Sequence, residues 1–191
     1  MLFTISELLD IVIMTAFIGF IFKDVFKRRE HYTDPLQYYQ NIRYGFNWGD
    51  FWFACGVTAP AIILHELSHK FVAMSFGFHA TFHAAYTWLV IGLVLKLMNF
   101  GLIFFVPAYV SYPAGGTPLQ HAAISIAGPL MNLIVWLVSG ILIRKRLISR
   151  KYLPAAVLTN RLNFFLFLFN MIPIPPFDGG HFFLSLIQAV F

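Results

Sequence analysis

His65 and His69 stand four residues apart, with Glu66 directly after the first, in the run His65-Glu66-Leu67-Ser68-His69. On a helix that spacing puts both imidazoles on one face, close enough to share a metal ion. Two imidazoles and a carboxylate hold a tetrahedral zinc with one position open to water, and a water so held has a pKa of about 7. Glu66, next to the first imidazole, is then placed to take that water's proton and pass it to a leaving amine. The chemistry such residues could do is metal-assisted hydrolysis of a peptide bond.

The setting of the motif is unusual for an enzyme in water. Of the 191 residues, 59% are apolar and 11% charged, where a soluble domain is about 25% charged. The mean hydropathy is +0.75. A soluble chain of this length could not hide so much apolar surface. A soluble enzyme, a nucleic-acid-binding domain and a disordered chain are therefore excluded, and no nucleic acid partner is expected. The net charge of +5 is what a membrane protein keeps in its loop lysines and arginines. Cys55 is the single cysteine, so no internal disulfide can form. The chain reads as a multi-pass integral protein of the cell membrane.

Six of the eight acidic residues (Glu7, Asp10, Asp24, Glu30, Asp34, Asp50) fall in the first fifty positions, which leaves Glu66 and Asp178. An ionisable group inside a bilayer is costly and usually functional. The sequence thus predicts that Glu66 and Asp178 are the only carboxylates of the membrane core.

A helix needs about 20 apolar residues to cross the hydrocarbon. Five stretches come close, at roughly 5–22, 51–75, 87–110, 119–143 and 154–174, and a shorter sixth runs over 177–191. The first carries Glu7 and Asp10 and has neither a preceding Lys or Arg nor a cleavage site, so it does not read as a signal peptide. Prolines and glycine pairs break two regions. One is 78–116, with Lys96, Pro107, Pro113 and Gly115-Gly116; the other is 173–180, with Pro173, Pro175, Pro176 and Gly179-Gly180. Broken backbone at membrane depth is tolerated only against protein or a water-filled cavity. The predicted fold is an all-α integral membrane protein of five to six hydrophobic segments, broken or re-entrant around 78–116 and proline-broken at 173–180. Residues 1–50 form an N-terminal span and an interfacial basic segment with Lys23, Lys27, Arg28 and Arg29; residues 51–191 form the core.

No glutamate follows Glu66, and Val72 and Ser75 occupy the Gly and His positions of the elongated zinc motif. The third ligand is therefore Asp178 or one of His79, His83, His121 and His181, with Asp178 the sole carboxylate available.

Three motifs in order now resemble one family. His65-Glu66-Leu67-Ser68-His69 is followed by Ala127-Gly128-Pro129-Leu130-Met131-Asn132 and by Asn170-Met171-Ile172-Pro173-Ile174-Pro175-Pro176-Phe177-Asp178-Gly179-Gly180. Together they are similar to the site-2 protease family of intramembrane zinc metalloproteases and cover most of 58–183. The resemblance implies His65, His69 and Asp178 as ligands of one zinc and Glu66 as catalytic base. Asn132, with Gly128 and Pro129, would line the site and orient or polarise the substrate. Ser68 and Phe177 replace a frequent Gly and Leu, and 78–112 reads as a long hydrophobic segment where the family often has a short sheet. No PDZ-like or CBS-like domain fits this length, so a minimal core enzyme is implied. Its partners would be the lipid bilayer and a transmembrane protein substrate.

Lesser signals accompany these. His181 could donate a hydrogen bond to a metal ligand from behind, and Asn163 and Asn170 are expected to face inward. His79 and His83 suggest a second metal only weakly, because no carboxylate lies nearby. Lys96 is expected to snorkel or to face the cavity. The basic clusters Lys23–Arg29 and Arg144–Lys151 share one side if 87–112 never crosses. The positive-inside rule makes that side cytoplasmic, whereas the resemblance has the His65 helix running toward the cytoplasm. Two rivals remain: a proteolytically silent scaffold binding a transmembrane partner, which has no reason to keep Glu66, and a metal transporter, which would spread ionisable residues along a pathway.

Overall fold

The structure, a computed structural model, describes residues 2–26, 46–100 and 106–191. The interfacial reading of the basic stretch at 27–45, with Lys27, Arg28 and Arg29, lies outside the described residues. Six helices are described: α1 (Ile5–Phe22), α2 (Trp48–Ser75), α3 (Tyr86–Leu97), α4 (Pro118–Arg144), α5 (Leu153–Asn170) and α6 (Asp178–Val190). Two short strands, β1 (Thr81–Ala84) and β2 (Ala108–Ser111), flank α3.

The first predicted span coincides with α1. Thr4 caps it, accepting from the Glu7 amide at 3.3 Å while Glu7 reaches back to the Thr4 amide at 2.8 Å. Its buried face (Glu7, Met14, Ile18, Ile21) packs on α2, the strands and α3, while Ile5, Leu8, Leu9 and Val12 are exposed. Exposed isoleucine and leucine suit a helix whose outer solvent is lipid. Close approach of α1 to α2 requires Gly19, because a Cβ there would collide with the Cys55 sulfur and lie 3.1 Å from Phe51. Thr117 and Gln120 form a second capping box at the start of α4, with Pro118 in its first turn. Among the described residues, α1, α2 and α4 are the helices long and apolar enough to cross a membrane.

Two expectations are corrected. The fold is mostly helical but not all-α, since β1 and β2 pair antiparallel from Thr81↔Ser111 to Ala84↔Ala108. Residues 87–110 are not one long segment either. α3 has 12 residues, about 18 Å, too short for a core of about 30 Å. The residues that flank the segment meet: the Ala85 amide donates to the Pro107 carbonyl at 3.0 Å. The chain thus leaves the sheet at Ala85 and returns to it at Pro107. Strands of four residues inside apolar sequence leave little periodicity to read, although Phe82 and Ala84 are buried in the alternation a strand imposes. The last stretch folds as α6, 13 residues long, well short of a span.

Side-chain contacts give the helices their directions. Ile124 meets His69 and Asn132 meets His65, so α4 runs antiparallel to α2. Asn160 donates to the Trp136 carbonyl at 2.6 Å and to the Ser139 hydroxyl at 3.0 Å, joining α5 to the distal half of α4. Lys96 does not line the cavity. It donates to Asp24 at 2.6 Å and to the Ile21 carbonyl at 3.0 Å, tying the end of α3 to the end of α1. Burial would raise the Asp24 carboxyl, but hydrogen bonds from Lys96 and Lys23 hold it below the usual carboxylate range. The ends of α1 and α4, which carry Lys23 and Arg144, fall on the same side, away from the end at which α2 places His69.

Candidate metal centre

α2 is capped at its start by Asn47, which accepts from the Gly49 and Asp50 amides at 2.9 and 3.2 Å. Its later turns place His65 and His69 side by side, 6% and 7% exposed. Asp178 arrives from the opposite direction. The chain leaves α5 at Asn170, passes through the proline run and re-enters helix at Asp178. Glycine is required for this return, because a Cβ at Gly179 would lie 2.5 Å from both the carbonyl carbon and oxygen of Met171. A Cβ at Gly180 would likewise lie 2.5 Å from the Pro175 nitrogen. The turn that aims Asp178 is therefore built from close backbone contact.

Three donor atoms converge. His65 Nε2 and His69 Nε2 are 3.1 Å apart, and Asp178 Oδ2 lies 3.0 Å from the first and 3.3 Å from the second. Ligands about 2.0–2.1 Å from a tetrahedral zinc are roughly 3.3 Å from one another, so the triangle fits such an ion. The partners of the rings agree. His69 Nδ1 is 2.7 Å from the Ile124 carbonyl, which can only accept, so Nδ1 carries the proton and Nε2 of the neutral ring is bare. Asn132 is fully buried with its Nδ2 placed 3.0 Å from His65 Nδ1, and its Oδ1 has no hydrogen-bond partner among the described residues. With the amide turned so that Oδ1 accepts from His65 Nδ1–H, the orphaned oxygen is satisfied and His65 Nε2 is also bare. Two bare nitrogens and a carboxylate oxygen at these distances repel unless a cation lies among them. Each imidazole then has the outer hydrogen bond typical of a metal ligand.

Gly128 and Pro129 are buried on the face of α4 that meets these rings. A Cβ at Gly128 would collide with His69 Nε2 and lie 2.6 Å from His65 Nε2. That close approach of α4 to the two rings is what requires a glycine here. Glu66 is 8% exposed. Among the described residues no side chain or amide donates a hydrogen bond to its carboxylate.

His65, His69, Asp178, Glu66 and Asn132 line one cavity of about 460 Å³, walled by α2, β2, α4 and α5. Asn170 and His181 line it too. His83 is elsewhere, 2.9 Å from the Ser111 hydroxyl, and His121 bonds Tyr112 at 3.3 Å. Among the described residues, His65, His69 and Asp178 form the one cluster of this kind.

Three groups escaped the sequence reading. Glu66 and Asp178 are not the only carboxylates of the core: Glu7 is 2% exposed and pairs with Lys70, itself 1% exposed. Asp10, one turn on, bonds the Tyr86 hydroxyl. The signal was present, since Glu7 and Asp10 share a face of an apolar span and Lys70 interrupts another directly after His69. Opposite charges in two spans have a reason to meet. Tyr112, which lines the cavity, carried no comparable signal.

Comparison with known proteins points the same way. Residues 145–191 match Peptidase family M50. The chain is 37% identical over 123 residues to a protein of Methanocaldococcus jannaschii provisionally named a zinc metalloprotease. The match covers 64% of this chain and 64% of the relative, so the chain spans just under two thirds of that protein's length. No solved structure matches. The matched C-terminal segment contains the proline run and Asp178, so the likeness to Peptidase family M50 falls on the part of the chain that completes the cluster of His65, His69 and Asp178.

Proposed function

We propose that this protein is a zinc-dependent intramembrane endopeptidase that cleaves peptide bonds in or near transmembrane segments of other membrane proteins. The observation that carries this reading is the convergence of His65 Nε2, His69 Nε2 and Asp178 Oδ2 beside an unengaged Glu66. These groups lie in a cavity walled in part by α2 and α4, two helices long and apolar enough to cross a membrane. His65, His69 and Asp178 would hold the zinc, which would supply a Lewis acid and lower the pKa of a water to near neutrality. Glu66 takes the proton and returns it to the departing amine. Asn132 fixes the tautomer and angle of His65.

A helical substrate hides its carbonyls in its own hydrogen bonds, so the enzyme must take a segment in extended form. β2 offers the means. Among the described residues it pairs with β1 alone, and Ala108, Tyr109 and Val110 line the cavity. A substrate laid along β2 exchanges its helical bonds for ladder bonds. Apolar side chains on α5 (Leu162, Phe165, Leu166, Phe169) face the same space and suit apolar substrate residues.

Zinc content tests the reading. Purified wild type is expected to hold about one zinc per chain, lost or greatly weakened in His65→Ala and in Asp178→Ala. Chelation should stop cleavage of a reconstituted transmembrane substrate, and zinc should restore it. No zinc after attempted reloading would leave a membrane scaffold as the better account. Asn132→Ala should weaken zinc about 10- to 100-fold. Asn132→Asp, which keeps an acceptor for His65 Nδ1, should weaken it less; equal losses in the two would remove the orienting role.

A further inference from the structure

The cleavage chemistry makes no use of the buried carboxylate on α1, yet its contacts are specific. Glu7 Oε1 accepts from the Phe82 amide at 2.7 Å and pairs with Lys70. Its other oxygen accepts from the Thr4 amide at 2.8 Å. One turn along, Asp10 Oδ2 accepts from the Ala84 amide at 3.2 Å. Phe82 and Ala84 are alternate residues of β1, so both amides point away from β2. Alternate amides on a strand edge are about 6.6 Å apart, and side chains three apart on a helix start about 5–6 Å apart. The α1 carboxylates thus substitute for a neighbouring strand.

An open edge in lipid is costly and would also pair with any extended segment that reached it. Here the β1 edge is closed and the β2 edge faces the cavity. The same Glu7 that closes the edge is fastened to Lys70, the residue after His69. It therefore joins the sheet and the metal-bearing helix through one group.

We propose that Glu7 is a positioning residue for cleavage: by holding β1 through the Phe82 amide and α2 through Lys70, it leaves β2, among the described residues, as the edge open to substrate and sets its distance from the metal centre. The catalytic consequence rests on the endopeptidase reading above; the edge lock itself does not.

Two double variants of the full chain separate this role from a purely structural one. Glu7→Leu with Lys70→Met removes both charges and the acceptor for Phe82, while Glu7→Gln with Lys70→Met removes the charges but keeps an acceptor. Neither leaves a lone buried charge. In detergent, amide exchange across 81–84 should quicken at least about tenfold in the leucine variant and stay within about threefold of wild type in the glutamine variant. Zinc content should be unchanged in both. With a reconstituted transmembrane substrate, the leucine variant should show a KM raised about tenfold or more with kcat changed far less, and the glutamine variant should recover it. Equal exchange in the two variants overturns the lock, whether or not any substrate is cleaved. Faster exchange with an unchanged KM overturns the positioning role and leaves a structural tie. Loss of cleavage by both variants to the same extent assigns the effect to the charge pair and also overturns it.

Discussion

Glu66→Gln should bind zinc as wild type does and cleave about a thousandfold more slowly. The glutamine amide has the same shape and fills the same buried position, so the triangle of His65, His69 and Asp178 is not disturbed. What is lost is the capacity to accept a proton. General acid–base catalysis contributes typically 10²- to 10⁴-fold, and here one carboxylate would act twice, first on the water and then on the amine. A thousandfold loss corresponds to about 4 kcal/mol of transition-state stabilisation. The loss should fall on kcat, because Glu66 has no part in holding the substrate. Zinc per chain and single-turnover cleavage, measured on the same preparation, decide the matter: a variant cleaving within tenfold of wild type would take the proton transfer away from Glu66. Glu66→Asp, a shorter base, should recover part of the rate.

The second large effect is expected at a residue that carries no functional group. Gly128→Ala adds one methyl to α4 at the point where His65 and His69 rest on it. The new carbon would lie 2.6 Å from His65 Nε2, and closer still to His69 Nε2. Neither ring can retreat freely, since His69 is anchored to the Ile124 carbonyl and His65 to Asn132. The methyl therefore displaces the metal-binding nitrogens themselves or pushes α4 away from α2. Zinc affinity should fall by more than the roughly 10- to 100-fold typical of removing an orienting partner. Gly56→Ala is the matched control. It lies on the same helix as His65, and its added Cβ meets nothing within 4 Å. It should leave zinc unchanged and add about 0.5–1 kcal/mol of stability. Equal zinc titrations for the two alanine variants would show that the packing at Gly128 does not shape the centre.

These residues also show how far the sequence could be read. His65, Glu66 and His69 are local, and their expense in an apolar run made them legible without a structure. Asp178 was legible because few carboxylates remained to choose from and because prolines forced irregular backbone beside it. Gly128 was legible as part of a motif, but its reason was not. That reason is a contact between α4 and α2, 59 residues apart at Gly128 and His69, and no local pattern records it. The sheet was missed on similar grounds. Four-residue strands give two alternations at most, and the hydrophobicity of α3 between them makes the region look like one span. Glu7 was misplaced because a carboxylate near the start of a helix reads equally as an interfacial group. Only its meeting with Lys70 and Phe82 shows that it is inside.

The closure of Ala85 on Pro107 has a consequence for how such a chain can be altered. Because the excursion through α3 begins and ends at one hydrogen bond, it contributes no net crossing. The helices after it keep their orientation whatever its length. Residues could be added to the excursion or removed without inverting α4 or moving Asp178 to the wrong face of the bilayer. Shortened to a tight turn, β1 and β2 would become an ordinary hairpin. The excursion thus packs against α1, through Leu89, Tyr86 and Lys96, without deciding which way the later helices run.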